Sequence, residues 1–124
     1  MEHNAVEVML AFNDAINRRD LGDLRALMSD DHRFIDSAGG VVAGRDACSA
    51  AWASFFESFP DYRNHFDSVD LDASGRAVAT GRSECSFGPL DGPARWVATV
   101  HRGLVREWRV EDIHDATIEP PVSE

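Results

Sequence analysis

Five side chains in this sequence stand where a proton could be moved: His32 and Asp36 in HRFIDS, and Asp112, His114 and Asp115 in VEDIHD. Asp36 follows Phe34 and Ile35. A carboxylate among apolar neighbours is poorly solvated and becomes a stronger base. The same aspartate could instead cap the turn that follows, SAGG, by accepting hydrogen bonds from backbone amides. His32 is of the type that titrates near neutrality and could orient Asp36 or share its proton. A lone histidine opening a strand is also an ordinary surface residue. Asp112 shares an alternating face with Leu104, Trp108 and Val110, whereas Val105, Glu107, Arg109 and Glu111 take the other. The first set suits a pocket, and the second a solvated or dimer-contacting outer face. For Asp112 and His114 an exposed strand end, where polar residues are ordinary, is the favoured interpretation.

Other chemistries find less in the chain. The five histidines are scattered at 3, 32, 65, 101 and 114, without an HxH or HExxH pair, so no metal is expected. There is no GxGxxG or GxxxxGK[ST] loop to cradle a nucleotide, and no serine stands in a GxSxG elbow. No cofactor is expected. With 12 arginines, no lysine and 22 acids, the net charge is −10, which repels phosphate backbones and anionic membrane surfaces, so nucleic acid and membrane are not expected partners. No apolar run approaches the length of a membrane span. Cys48 and Cys85, without CxxC spacing or a secretion signal, suit reduced buried thiols and a cytoplasmic protein.

The elements that must position these residues divide by period. Residues 4–18 place Val6, Met9, Leu10, Asn13 and Ile16 on one helical face, and Asp20 is an N-cap for a short second helix carrying Leu21, Leu24, Leu27 and Met28. Residues 44–59, closed by Pro60, carry Cys48, Ala51, Trp52, Phe55, Phe56 and Phe59 on a single stripe. So wide an aromatic face requires an apolar cover, most simply a sheet. Residues 32–37 and 41–42 read as short strands. The segments 62–71, 76–87, 94–101 and 104–113 alternate as half-buried strands, broken by turn chemistry at 72–75, 88–93 and 102–103. In 76–87, Val78, Thr80, Arg82 and Glu84 share one face, and Ala77, Ala79, Gly81, Ser83, Cys85 and Phe87 the other. Which of the two looks inward is open, because a one-residue slip exchanges them. Helices first and antiparallel strands later argue an α+β fold with helices on one face of a strongly bent sheet. One domain spans 1–124, with a core of about 6–115 and a frayed tail at 119–124.

The succession FNDAINRRDLGDLRALMSDDHRFID, GGVVAGRDACSAAWASFFESFPDYR and LVREWRVED resembles the nuclear transport factor 2-like superfamily, in its SnoaL-like branch of polyketide cyclase and ketosteroid isomerase relatives. The resemblance runs from about Val6 to Asp115 and rests on several weak motifs in order. It implies a cone: three helices line the open side of a curved sheet around a pocket, and homodimers form through the sheet's outer face. It also places Asp36 where ketosteroid isomerases hold their catalytic aspartate, and Asp112 near the late aspartate that serves SnoaL-like cyclases as general acid and base. Removing a proton next to a carbonyl creates an enolate, which needs hydrogen-bond donors. Phe12 stands where the isomerases have their oxyanion tyrosine and offers none, and ARWVATV carries no carboxyl, so steroid isomerisation is disfavoured. Other donors on offer are Asn13, Tyr62, His65, Arg82, Trp96 and Trp108.

Two classes of function follow. One is a cofactor-free isomerase, cyclase or lyase acting on a small apolar carbonyl compound, with Asp36, Asp112 or His32 moving protons. In that case Phe12, Trp52, Phe55, Phe56, Phe59, His65, Trp96, Trp108 and Val110 would shape the binding hollow. The other is a noncatalytic ligand-binding or dimerisation module of the same fold.

Overall fold

In the computed structural model, residues 4–111 are described. Asp112, His114, Asp115 and the tail at 119–124 lie outside them. The first helix, α1 (Ala5–Arg18), starts where the Asn4 side chain accepts the Glu7 N–H at 2.8 Å, and ends on Arg19 in the left-handed region at φ 57°. Asp20 then caps α2 (Leu21–Ala26) by accepting the Asp23 N–H at 3.0 Å, as its spacing predicts. The aromatic helix is α3 (Arg45–Ser58). The guanidinium of Arg19 ties the end of α1 to the end of α3. It donates to the carbonyls of Phe59 and Tyr62 and lies 5.7 Å from the Phe56 ring centroid.

Six strands follow the helices or run between them: β1 (Met28–Ile35), β2 (Val41–Ala43), β3 (Arg63–Leu71), β4 (Ala77–Glu84), β5 (Gly92–His101) and β6 (Leu104–Glu111). They form one sheet in the order β2-β1-β6-β5-β4-β3, antiparallel except where β1 runs parallel to β6. β1 begins at Met28, four residues before the sequence pattern predicts. Met28 pairs with Val105 and Arg33 with Glu107, so the acidic SDD stretch lies inside β1 at a register irregularity that side-chain alternation does not reveal. β4 stops at Glu84, and a single 3-10 turn (Gly88–Leu90) leads into β5 two residues early.

Register irregularities in β1, β3 and β6 bend the sheet so that one face becomes concave. In β6 the irregularity falls at Arg106 and corrects the predicted faces: Val105 turns inward and is fully buried along with Trp108. Gly81 marks the tightest approach, because a Cβ there would lie 1.9 Å from the carbonyl oxygen of His65 on β3. The β4 register is now fixed: Ala77, Ala79 and Ser83 are buried, whereas Arg82 and Glu84 are exposed. These small inner residues let α1 lie close over β3 to β6, filling that half of the concave face with Met9, Phe12 and Ile16 against Trp96 and Trp108. Burying each of these large side chains contributes about 3 kcal/mol by area. α3 packs on β1 and β2, with α2 between the two longer helices.

Candidate functional site

The apolar stripe of α3 is covered on one side only. Cys48, Trp52 and Phe56, spaced four apart, are buried, while the adjacent row of Ala51, Phe55 and Phe59 is half-buried or exposed. α3 leans on β1 and β2 while α1 covers the rest of the concave face, and a hollow of about 310 Å³ remains beside α3, over the ends of β1 and β6. Phe34, Val42, Cys48, Ala51, Trp52, Phe55, Tyr62, Leu90, Trp108 and Val110 line it, with Asp36 and Ser37 on its rim. The volume equals about ten waters at bulk density and lies at the small end of ligand sites, which run from roughly 300 Å³ upward. The rings brace one another: Trp52 meets Phe34 and Phe55 edge-on, each at 5.6 Å, and Tyr62 meets Phe55 edge-on at 4.8 Å. An adjoining lobe of about 240 Å³ shares Ser37, Tyr62, Leu90 and Val110, and adds Ser83, Asp91, Gly92, Pro93 and Glu111.

Asp36 closes β1 and is exposed. Its Oδ1 accepts the N–H groups of Ala38 at 2.9 Å and Gly40 at 2.8 Å, and no described residue donates to Oδ2. It therefore both caps the SAGG turn and stands at the cavity mouth. His32 is elsewhere. Fully buried, it donates from or accepts at Nδ1 against the Val105 carbonyl at 2.7 Å; since a carbonyl only accepts, Nδ1 carries the proton. Nε2 is buried with no partner among the described residues, and the ring lies 5.6 Å from Phe12. Burial pushes the imidazole below its ordinary range. No hydrogen bond joins it to Asp36, and it is not part of the cavity wall, so the expectation that it orients Asp36 is not met.

Of the residues expected to shape the hollow, Trp52, Phe55, Trp108 and Val110 do so. Phe12, Phe56, Phe59, His65 and Trp96 are not in its wall. Phe12 packs on Trp108 at 4.5 Å beneath it, and Phe56 faces Arg19. Phe59 stacks on Phe87, Trp96 is sealed under α1 against Phe66, and His65 is exposed, paired with Glu84 at 2.8 Å. Among the donors weighed above, Asn13 is buried against Asn64 and Arg82 pairs outside with Asp91, which leaves Tyr62 and Trp108 in the wall. Burial raises the pKa of both the Tyr62 phenol and the Cys48 thiol, so each is a neutral lining group. Sequence periodicity passes over Ser37, Ser83 and Leu90. Their signal lay in the SAGG turn that Ser37 opens, in the turn-forming GPLDGP segment that carries Leu90, and in Ser83's place on the small-residue face of β4.

Residues 9–116 match the SnoaL-like domain family. The chain belongs to that family. No curated protein matches the sequence. Solved structures agree on the fold of this SnoaL-like domain. A cystatin-fold protein from Novosphingobium aromaticivorans superposes with a TM-score of 0.76 at 16% identity, over 89% of this chain and 99% of that one. A putative polyketide cyclase from Sinorhizobium meliloti gives 0.76 at 15% identity, covering 85% and 94%. A putative polyketide cyclase from Pseudomonas putida gives 0.67 at 22% identity, covering 92% and 96%. At these identities the likeness concerns architecture alone: three helices packed on a curved sheet. No helix among the described residues is long and apolar enough to cross a membrane.

Proposed function

We propose that this SnoaL-like domain takes a small, largely apolar compound bearing a carbonyl group into the aromatic cavity, and that Asp36 moves a proton on the carbon next to that carbonyl. One observation carries the proposal: an aromatic-walled cavity of about 310 Å³ whose lining, among the described residues, includes one carboxylate, Asp36, with one oxygen held by backbone amides and the other accepting from no described residue. A C–H bond of the ligand would break with its electron pair passing into the carbonyl as an enolate, while its proton goes to Oδ2. Where a double bond conjugates with the enolate, returning the proton to its far carbon gives isomerisation; alternatively the enolate carbon attacks a second carbonyl, whose oxygen takes the electron pair and then the proton from Oδ2, closing a ring. Neither outcome calls for an oxidant or a cofactor.

A second interpretation, noncatalytic binding, draws support from the exposure of Asp36 and its commitment to the SAGG turn. The two are separated by incubating the protein with 2-tetralone in deuterated buffer and following deuterium at the carbon next to the carbonyl. Catalysis predicts exchange at least tenfold above buffer, lost in Asp36→Asn while binding persists. Binding without exchange, unaltered by Asp36→Asn, identifies a binding module. Failure to bind at all removes the pocket proposal.

A further inference from the structure

The adjoining lobe is the more polar of the two, and a buried relay ends in it. Asn64 on β3 is fixed at its backbone by Asn17 of α1: its N–H donates to Asn17 Oδ1 at 2.9 Å, and its carbonyl accepts from Asn17 Nδ2 at 2.9 Å. The Asn64 side chain donates from Nδ2 to Asn13 Oδ1 at 3.1 Å, and its Oδ1 accepts from Ser83 Oγ at 3.2 Å. Ser83 Oγ in turn lies 3.2 Å from the Tyr62 hydroxyl. Asn13, Tyr62, Asn64 and Ser83 are all buried.

The protons of this relay can be counted. A serine hydroxyl has one, and an amide oxygen has none. Ser83 commits its proton to Asn64 Oδ1, so the contact with Tyr62 must be made by the phenol proton, donated to Ser83 Oγ. The Tyr62 oxygen is then left with lone pairs alone. Resting on the pocket proposed above, we infer that the adjoining lobe is a subsite for a neutral hydroxyl group of the ligand, which donates its hydrogen bond to the Tyr62 oxygen. Tyr62 is suited to bridge the two lobes, since it lines both and its ring is edge-on to Phe55 in the aromatic one. Burial raises its pKa, which keeps the phenol proton in place at neutral pH. Charge selects against an anion: Asp91 and Glu111 line this lobe, and their partners Arg82 and Arg95 are not in its wall. The favoured ligand is an apolar scaffold with an alcohol or phenol at one end.

Calorimetric titration with 2-naphthol, 2-acetylnaphthalene and 2-naphthoate tests this on the intact chain. One extra hydrogen bond predicts about five- to tenfold tighter binding of 2-naphthol than of 2-acetylnaphthalene, with 2-naphthoate the weakest. Tyr62→Phe abolishes the preference for the hydroxyl and leaves 2-acetylnaphthalene nearly unchanged. Ser83→Ala releases the phenol proton, so the preference reverses toward the ketone; a purely structural role for Ser83 would weaken both probes alike. Should Ser83→Ala not fold, the wild type and Tyr62→Phe decide the matter. Equal binding of 2-naphthol and 2-acetylnaphthalene, or a hydroxyl preference that survives in Tyr62→Phe, overturns the subsite alone. Absence of binding by either probe overturns the pocket proposal together with the subsite.

Discussion

Acidifying this protein through the range in which imidazoles titrate should expose the role of His32. In the folded chain its Nδ1–H is tied to the Val105 carbonyl at 2.7 Å, and Nε2 is sealed without a partner among the described residues. Protonating Nε2 would place a cation against aromatic rings with nothing to accept the new N–H. Burial, the largest cause, depresses the pKa from 6.5, although the Val105 carbonyl and the charge of Asp31 work the other way. Below pH 6.5 the unfolded chain therefore binds a proton that the folded chain refuses. Stability is retained above that value and falls as the pH drops toward the folded pKa. From pH 7.5 to 5.5 the loss from this one group is at most about 1.4 kcal/mol, reached if the folded imidazole stays neutral throughout, against a typical stability of 5–15 kcal/mol. Urea unfolding of wild type and His32→Asn at fixed protein concentration, in half-unit steps of pH, isolates the effect. Asparagine can still donate to Val105 but cannot become charged, so its lost ring packing is a constant offset. The wild type should converge on the variant as the pH falls. Parallel curves, or a wild type that gains on the variant in acid, would refute the assignment of a buried neutral imidazole.

Two further substitutions bear on the scaffold and the cavity wall. Gly81→Ala should cost about 3 kcal/mol or more, because its Cβ would meet the backbone of β3 at 1.9 Å and the strands would have to part; an unchanged denaturation midpoint would contradict that closeness. Trp52→Ala should cost about 3 kcal/mol and weaken 2-naphthol roughly tenfold, as it removes the ring that braces Phe34 and Phe55. Calorimetric affinity unchanged within twofold would mean that the probe sits outside the aromatic wall.

The sequence carried the frame of this fold in its caps and periods. Asp20 announces α2, Pro60 follows the last turn of α3, and the pair Arg102 and Gly103, both at positive φ, marks the β5–β6 turn. The hollow was only half legible. Periodicity told that Trp52, Phe55 and Phe59 share a face with Cys48 and Phe56, but not that the covering elements would seal one row and leave the other beside an opening. The register irregularity at Arg106 was invisible for a related reason: an extra residue breaks alternation without changing composition, so Val105 was read as outward. Asp36 shows a different limit, since capping a turn and lining a cavity mouth require the same residue in the same place. The Tyr62 relay gathers side chains from positions 13, 62, 64 and 83, and no local pattern joins them.

The two lobes share Ser37, Tyr62, Leu90 and Val110 but differ in the rest of their walls: α3 and the end of β1 build the aromatic one, and residues 91–93, where the link from β4 enters β5, line only the other. The scaffold can thus be retuned in parts. Under the proposed binding mode, exchanging residues 91–93 would alter which head group is admitted, while the greasy body of the guest would still be gripped by unchanged helical rings.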